Sequence, residues 1–362
     1  MTKLDISNRK IDHIRICSAK NVESERPTGF EDIYLIHRSL PEINMDEVDT
    51  SCCFMGHRLL MPLVIEAMTG GAPPTTRINQ RLARAAEALK VAMGVGSQRI
   101  ALENPAFEDS FRVVRKSAPD AFLIANIGAP QLAMGYGVEE ARRAVEMIEA
   151  NALAIHVNAA QECVQPEGEP TARGVMSKIE EIAKNLHVPV IVKETGAGIS
   201  GEEAAKLEAL GVSAIDVGGV GGTDWAKVES YRKPARRTTS GIRIFHGWGI
   251  PTAASLIEVT QSTKMTTIAS GGIRNGLQIA KSIALGASAA GLARPLLAAA
   301  LRSHNAVARA ISAIQWELKV TMFLTGSRTI ADLQSVPLVI TGDMYHWLTQ
   351  RGFDTMRYAK RR

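Results

Sequence analysis

Short apolar, β-branched runs recur along this chain, each cut off by glycine or polar residues, with helix-length segments between them. That is the pattern of repeated βα units, in which buried parallel strands read as near-continuous apolar runs. Eight such runs stand out: Pro62 to Ala67, Val91 to Val95, Phe122 to Asn126, Leu153 to His156, Val188 to Lys193, Ala214 to Val217, Thr266 to Ala269 and Ala289 to Leu292. Eight parallel strands with helical crossovers predict an α/β fold, a closed (β/α)8 TIM barrel, with an open doubly wound sheet as the alternative. Residues 1–60 precede it as an N-terminal extension, and 61–362 form the barrel as a single domain. One connection, Gly218 to Gly249, is long for a βα loop and carries Tyr231 to Arg237 and His246 to Gly249, which makes it a candidate lid or a solvated loop. The basic tail Arg357 to Arg362 reads as a frayed terminus.

Composition narrows the class. Apolar residues make up 46% of the 362 and charged ones 22%, which is globular and unlike a disordered chain. The net charge of +5 is too mild for a nucleic-acid partner but suits a small anionic substrate. Cys17, Cys52, Cys53 and Cys163 have neither disulfide-framework nor zinc spacing, so a reducing, cytoplasmic setting is expected. The N-terminus lacks a signal-peptide core, and the apolar stretch near the end is broken by Arg294 and Pro295, so no membrane span is expected. A homo-oligomer is the expected assembly.

Candidate chemistry lies at the C-terminal ends of the strands, where this fold builds its sites. Ser270 to Gly276 follows the seventh run and opens a helix, so its N–H groups can cradle a phosphate, and Gly291 to Pro295 after the eighth can add one guanidinium. Glycine also serves tight turns, but the two loops together match the recurrent phosphate site of the fold. Lys193 ends a run that should be buried. It is either a core lysine paired with Glu194 or Asp216, or a cation aimed at a ligand in the barrel mouth. The run His156 to Glu169 turns abruptly from apolar to amide and acid, with Gln161 beside Glu162. Ala67 to Gly71, Gly96 to Arg99 and Asn126 to Gly128 add polar groups to the same rim, any one of which could be a cap or turn. Arg9, Lys10 and His13 could supply cations if the extension folds over the mouth.

With these motifs in order, RKIDH, AMTGG, GSQR, ANIGA, HVNAAQECVQPEGE, VPVIVKETGAG, GGVGGTDW, SGGIRNG and GLARP, the chain resembles the type 2 isopentenyl diphosphate isomerases from Asn8 to Pro295. The resemblance implies FMN across the barrel mouth, touched by Ala67, Met68, Thr69, Ser97, Asn126, Lys193 and Thr223, with Gly272, Ile273, Arg274, Ala293 and Arg294 around its phosphate. It implies a diphosphate substrate held by Arg9, Lys10, Ser97, Gln98, Arg99 and Gln161, and Mg2+ held by Glu162. A single carboxylate beside a diphosphate suits Mg2+. The implied reaction interconverts isopentenyl and dimethylallyl diphosphate on FMN reduced by NADPH, with Gln161 and Lys193 as catalytic candidates. A neutral amide is a poor general acid, so Gln161 is expected to position or relay. The chain departs from the pattern at Val157, Ala159, Ala160, Glu169 and Asp224, the last of which weakens a phosphate contact there. An FMN-dependent oxidoreductase of a hydroxy acid or enoyl substrate, and a non-catalytic phosphate-ligand binder, are the competing expectations.

Overall fold

The computed structural model describes residues 3–232 and 242–361, with side chains from residue 9 onward. The Lys233 to Arg237 part of the long connection, and Arg362 of the tail, lie outside the described residues. Eight strands close into a parallel barrel in sequence order: β1 (Leu63–Ile65), β2 (Ala92–Gly94), β3 (Leu123–Gly128), β4 (Ala152–Val157), β5 (Val190–Glu194), β6 (Ala214–Asp216), β7 (Thr266–Ala269) and β8 (Ala289–Leu292). The fifth strand starts two residues later than its apolar run because Pro189 has no N–H to give a ladder. Among the described residues, no helix is long and apolar enough to cross a membrane, and no disulfide forms.

Side chains alternate across a strand, so one parity fills the barrel and the other faces the helices. The interior cluster contains Val64, Ala92, Ile124, Ala154, Ile191, Ala214, Ile268 and Ala289, one from each strand. Large residues come from odd strands and alanine from even ones, which lets bulky side chains meet across the axis without overpacking. Below this layer the hairpin Cys52–Phe54 and His57–Leu59 plugs the N-terminal end, with Phe54 edge-on to Phe122 at 5.3 Å between centroids. Two positions further along each strand the same parity gives Glu66, Gly94, Asn126, His156, Lys193, Asp216, Ser270 and Gly291. The layer over the apolar plug is therefore polar or glycine throughout, and it forms the floor of the barrel mouth.

The N-terminal extension covers that mouth. Helix α1 (Lys3–Ala19) places His13, Ile14 and Cys17 on the wall of the cavity beneath it. The chain then pairs with the loop after β6: Glu23 bridges Thr223, Ser24 N donates to Gly222 O at 2.8 Å and Asp224 N to Val22 O at 2.9 Å. That loop in turn packs backbone to backbone on the loop after β7, since a Cβ on Gly222 would stand 2.5 Å from Gly272 N. Gly272 itself has φ +82°, the left-handed region that favours glycine.

Gly272→Ala should cost at least about 1–2 kcal/mol from the left-handed backbone alone, before the collision with the neighbouring loop. Denaturant unfolding should show a lowered midpoint, and an unchanged midpoint would mean that the two loops are not seated on each other.

Candidate active site

Lys193, the last residue but one of β5, stands directly across the register from Asp216 on β6 and His156 on β4. Its ammonium sits 2.7 Å from Asp216 Oδ2 and 2.9 Å from Glu66 Oε2, and 3.4 Å from Ser270 Oγ. Of the two partners expected for a core lysine, Asp216 is confirmed and Glu194 is replaced by Glu66. Glu194 follows Lys193 on the strand and so faces the opposite side, where it accepts from the N–H groups of Gly196 and Ala197. Lys193 is only 9% exposed yet still lines the mouth, so it is at once a paired core lysine and a cation facing the cavity. Burial opposes its charge, but Asp216 and Glu66 together hold its pKa above the ordinary lysine value.

One side of the mouth is a cavity of about 150 Å³ lined by Ala67, Met68, Thr69, Lys193, Thr223, Gly272, Arg274, Ala293 and Arg294, with Ile14 and Leu297 as apolar wall. At its far end Glu23 takes both guanidiniums, Arg274 Nη2 at 2.9 Å and Arg294 Nη1. The buried Thr69 Oγ1 on this wall has no hydrogen-bond partner. Two guanidiniums that meet on Glu23, a buried lysine and an unsatisfied hydroxyl around one cavity suit a ligand that carries a phosphate.

The other side, a cavity of about 140 Å³, shares His13, Ala67, Met68, Lys193, Thr195 and Trp225 with the first, so the two are continuous. It gathers Arg9, Lys10, Ser97, Arg99, Asn126, Gln161 and Glu162. Lys10 donates to Ser97 O at 3.3 Å, and burial together with neighbouring Arg9 pulls its ammonium down to about 7. Burial likewise lowers the Arg9 pKa, although Glu162 and Glu229 work the other way. Arg99 pairs with Glu103 and with Glu169, each at 2.9 Å.

Helix α2 (Ala159–Val164) starts where β4 ends and presents Gln161 and Glu162 in its first turn. Glu162 accepts from Asn158 Nδ2 at 2.8 Å, and from Gln165 Nε2 and Glu169 N at 2.7 Å each. All three donors are neutral, and among the described residues Glu162 forms no salt bridge. The buried Asn158 Oδ1 beside it has no partner. A carboxylate without a cation next to an orphaned amide oxygen is a suitable start for a hard divalent ion, whose remaining ligands would be phosphate oxygens and water. Among the described residues no three acidic, histidine or cysteine side chains cluster as a closed metal cage. His156 Nδ1 meets Asn126 Oδ1 at 2.8 Å while Asn126 Nδ2 donates to Val95 O, so Nδ1 carries the proton of that contact. Burial, then Lys10 and Lys193, push the His156 pKa down to about 3, which keeps the ring neutral.

Two residues expected at the site do not turn their side chains to it. Gln98 is a correction. Its side chain is fully buried, with Nε2 donating to Ala144 O at 2.9 Å and Oε1 accepting from Asn126 N at 2.8 Å, so it braces β3 instead of facing substrate. Ile273 is buried in the core and offers only its main chain. Asp224 caps helix α3 (Trp225–Ser230) through Lys227 N at 3.0 Å and also accepts from Gly247 N, so its carboxylate is a local anchor. Helix α3 also brings two residues that pattern reasoning missed. Trp225 lines both cavities, and Glu229 joins His13 Nε2 at 2.9 Å, Gln161 Nε2 at 3.1 Å and Arg232 at 2.8 Å. Burial works against the Glu229 charge, but His13 and Arg232 hold its carboxyl down at about 2.

Comparison with known proteins gives the family. The family model described as FMN-dependent dehydrogenase matches residues 119–339. Among solved structures, mandelate oxidase crystallised with (S)-2-phenylpropionate superposes with a TM-score of 0.61 at 17% identity, over 94% of this chain and 98% of that one, which is a likeness of fold. Among curated relatives, the isopentenyl-diphosphate delta-isomerase of Methanothermobacter thermautotrophicus is 48% identical over 98% of this chain and 99% of its own length. That of Methanosarcina mazei is 52% identical over 96% of each. On identity of this extent over nearly the whole chain, the protein belongs to the isopentenyl-diphosphate delta-isomerases, built on the barrel of the FMN-dependent dehydrogenases.

Proposed function

We propose that this enzyme interconverts isopentenyl and dimethylallyl diphosphate on reduced FMN with Mg2+, the flavin being kept reduced by NADPH. The observation that carries the reading is the continuity of the two cavities, which sets a wall suited to a phosphate and a ring against a wall of three cations and one carboxylate that, among the described residues, forms no salt bridge. On the first wall Arg274 and Arg294 suit the FMN phosphate, with the main chain at Gly272, Ile273 and Ala293. Thr69, with its unsatisfied hydroxyl, suits a polar edge of the ring, as do Ser97, Asn126 and Thr223, while Ala67 and Met68 pack against it. When bound, reduced FMN would supply the acid–base group for the proton exchange.

The chain's own residues do the rest. Arg9, Lys10 and Arg99 neutralise the diphosphate, so that α1 from the extension acts as the substrate-holding element over the barrel. Glu162, flanked by Asn158, would hold Mg2+ for the diphosphate. Lys193 would offset the negative charge of the reduced ring. Gln161, tethered by Glu229, places the alkene and is not itself the acid, because a neutral amide cannot match the proton-transfer requirement. An oxidoreductase reading shares the flavin wall and is favoured by the family model's description, but a carboxylate substrate needs neither three cations nor Glu162.

Purified protein with Mg2+ and reduced FMN should convert isopentenyl diphosphate to dimethylallyl diphosphate, and omitting either should abolish turnover; full activity without both would reject the reading. In Glu162→Gln the Mg2+ concentration for half-maximal rate should rise about tenfold or more, a loss of ~1.4 kcal/mol in metal affinity; an unchanged Mg2+ titration would move the metal elsewhere. Lys10 is protonated below its value of about 7 in the free enzyme and neutral above it. Diphosphate affinity should therefore weaken as pH rises through 7, and Lys10→Met should be weaker than wild type at low pH and converge with it at high pH. Parallel pH profiles would remove Lys10 from the phosphate site.

A further inference from the structure

The two carboxylates that hold Lys193 are chemically unequal. Asp216 has both oxygens satisfied, Oδ2 by Lys193 Nζ and Oδ1 by the Ser270 hydroxyl. Glu66 meets Nζ through Oε2, whereas its buried Oε1 has no donor at all. Gly291 packs against that oxygen so closely that a Cβ there would collide with it. The charged groups facing Glu66 are Lys193 from β5 and Asp216 from β6. Ser270 and Gly291, from the ends of β7 and β8, are uncharged, and the Glu194 side chain is turned to the other face of β5. With all three groups ionised, one ammonium between two carboxylates leaves this dry cluster one negative charge in excess. Like charges sharing such a site do not both stay ionised.

We propose that Glu66 is the proton-carrying member of this trio and a positioning residue for Lys193: when negative charge arrives on the open side of the lysine, Glu66 takes up a proton and Asp216 remains the ionised anchor. The proposal rests on the FMN reading and deepens it. Burial, then Asp216, already push the Glu66 carboxyl up to about 8 before any ligand charge is added. Reduction of FMN at an electrode delivers two electrons and one proton to the flavin and leaves one extra negative charge on it beside Lys193. A second proton, from solvent, goes to Glu66 Oε1. The balance is two electrons and two protons, with no net charge gained by the buried site. In the oxidised enzyme Glu66 gives up its proton as pH rises past about 8, so the uptake is visible on the alkaline side of that value.

The test is spectroelectrochemical titration of FMN-loaded wild type and Glu66→Gln above pH 8. The wild-type midpoint potential should fall with pH twice as steeply as that of the variant, two protons per two electrons against one. Infrared difference spectra of the wild type should show a protonated carboxyl C=O band appearing on reduction, so the outcome does not depend on the variant folding. Equal slopes, or a wild type with no such band, would overturn the role of Glu66. A wild type that binds no FMN would instead overturn the flavin reading, and this inference with it.

Discussion

Everything at the mouth of this barrel depends on burying one ammonium between two carboxylates. Lys193 could not stand alone above an apolar layer, because an unpaired buried charge is costly. Asp216 and Glu66 meet it from β6 and from just beyond β1, strands that closure of the barrel places within reach of β5. An open sheet of the same eight strands would leave β1 and β8 as edges. Closure is therefore a condition for the charge as well as for the core.

The same parity argument explains how stability and function divide the strands. Interior positions carry alternating large residues and alanine, and two residues onward they carry charge, amide, imidazole, hydroxyl or glycine. The glycines of the loops after β6 and β7 serve first to let those loops touch, as the contact between Gly222 and Gly272 shows. The tight loops leave the Arg274 and Arg294 guanidiniums converging on one point, which Glu23 occupies from the N-terminal extension. The clasp at Glu23 thus ties the element that carries Arg9 and Lys10 to the end of the cavity where a phosphate would sit.

Much of this was legible in the residue pattern, and the exceptions have physical causes. The eight strands could be found because buried parallel strands are continuous apolar runs, and the loops that carry Arg274 and Arg294 because glycine and arginine follow two of them. Gln98 was misplaced because a polar residue between Ser97 and Arg99 looks like a rim group, whereas the backbone turns there and directs its amide into the gap beside Ala144. Glu66 was hidden at the end of an apolar run; counting two residues on from the interior Val64 would have found it. Glu229 had no such signal, since its importance comes from a short helix in an otherwise irregular connection that carries it to His13 and Gln161.

The central claim is that the cavity moves protons on the substrate while the flavin's redox state is unchanged overall. It is tested most directly by incubating isopentenyl diphosphate with the reduced, Mg2+-loaded enzyme in D2O while recording the flavin spectrum. The account predicts dimethylallyl diphosphate carrying solvent deuterium, with the flavin still reduced at the end. Flavin oxidation in step with substrate consumption, or product free of deuterium, would contradict it.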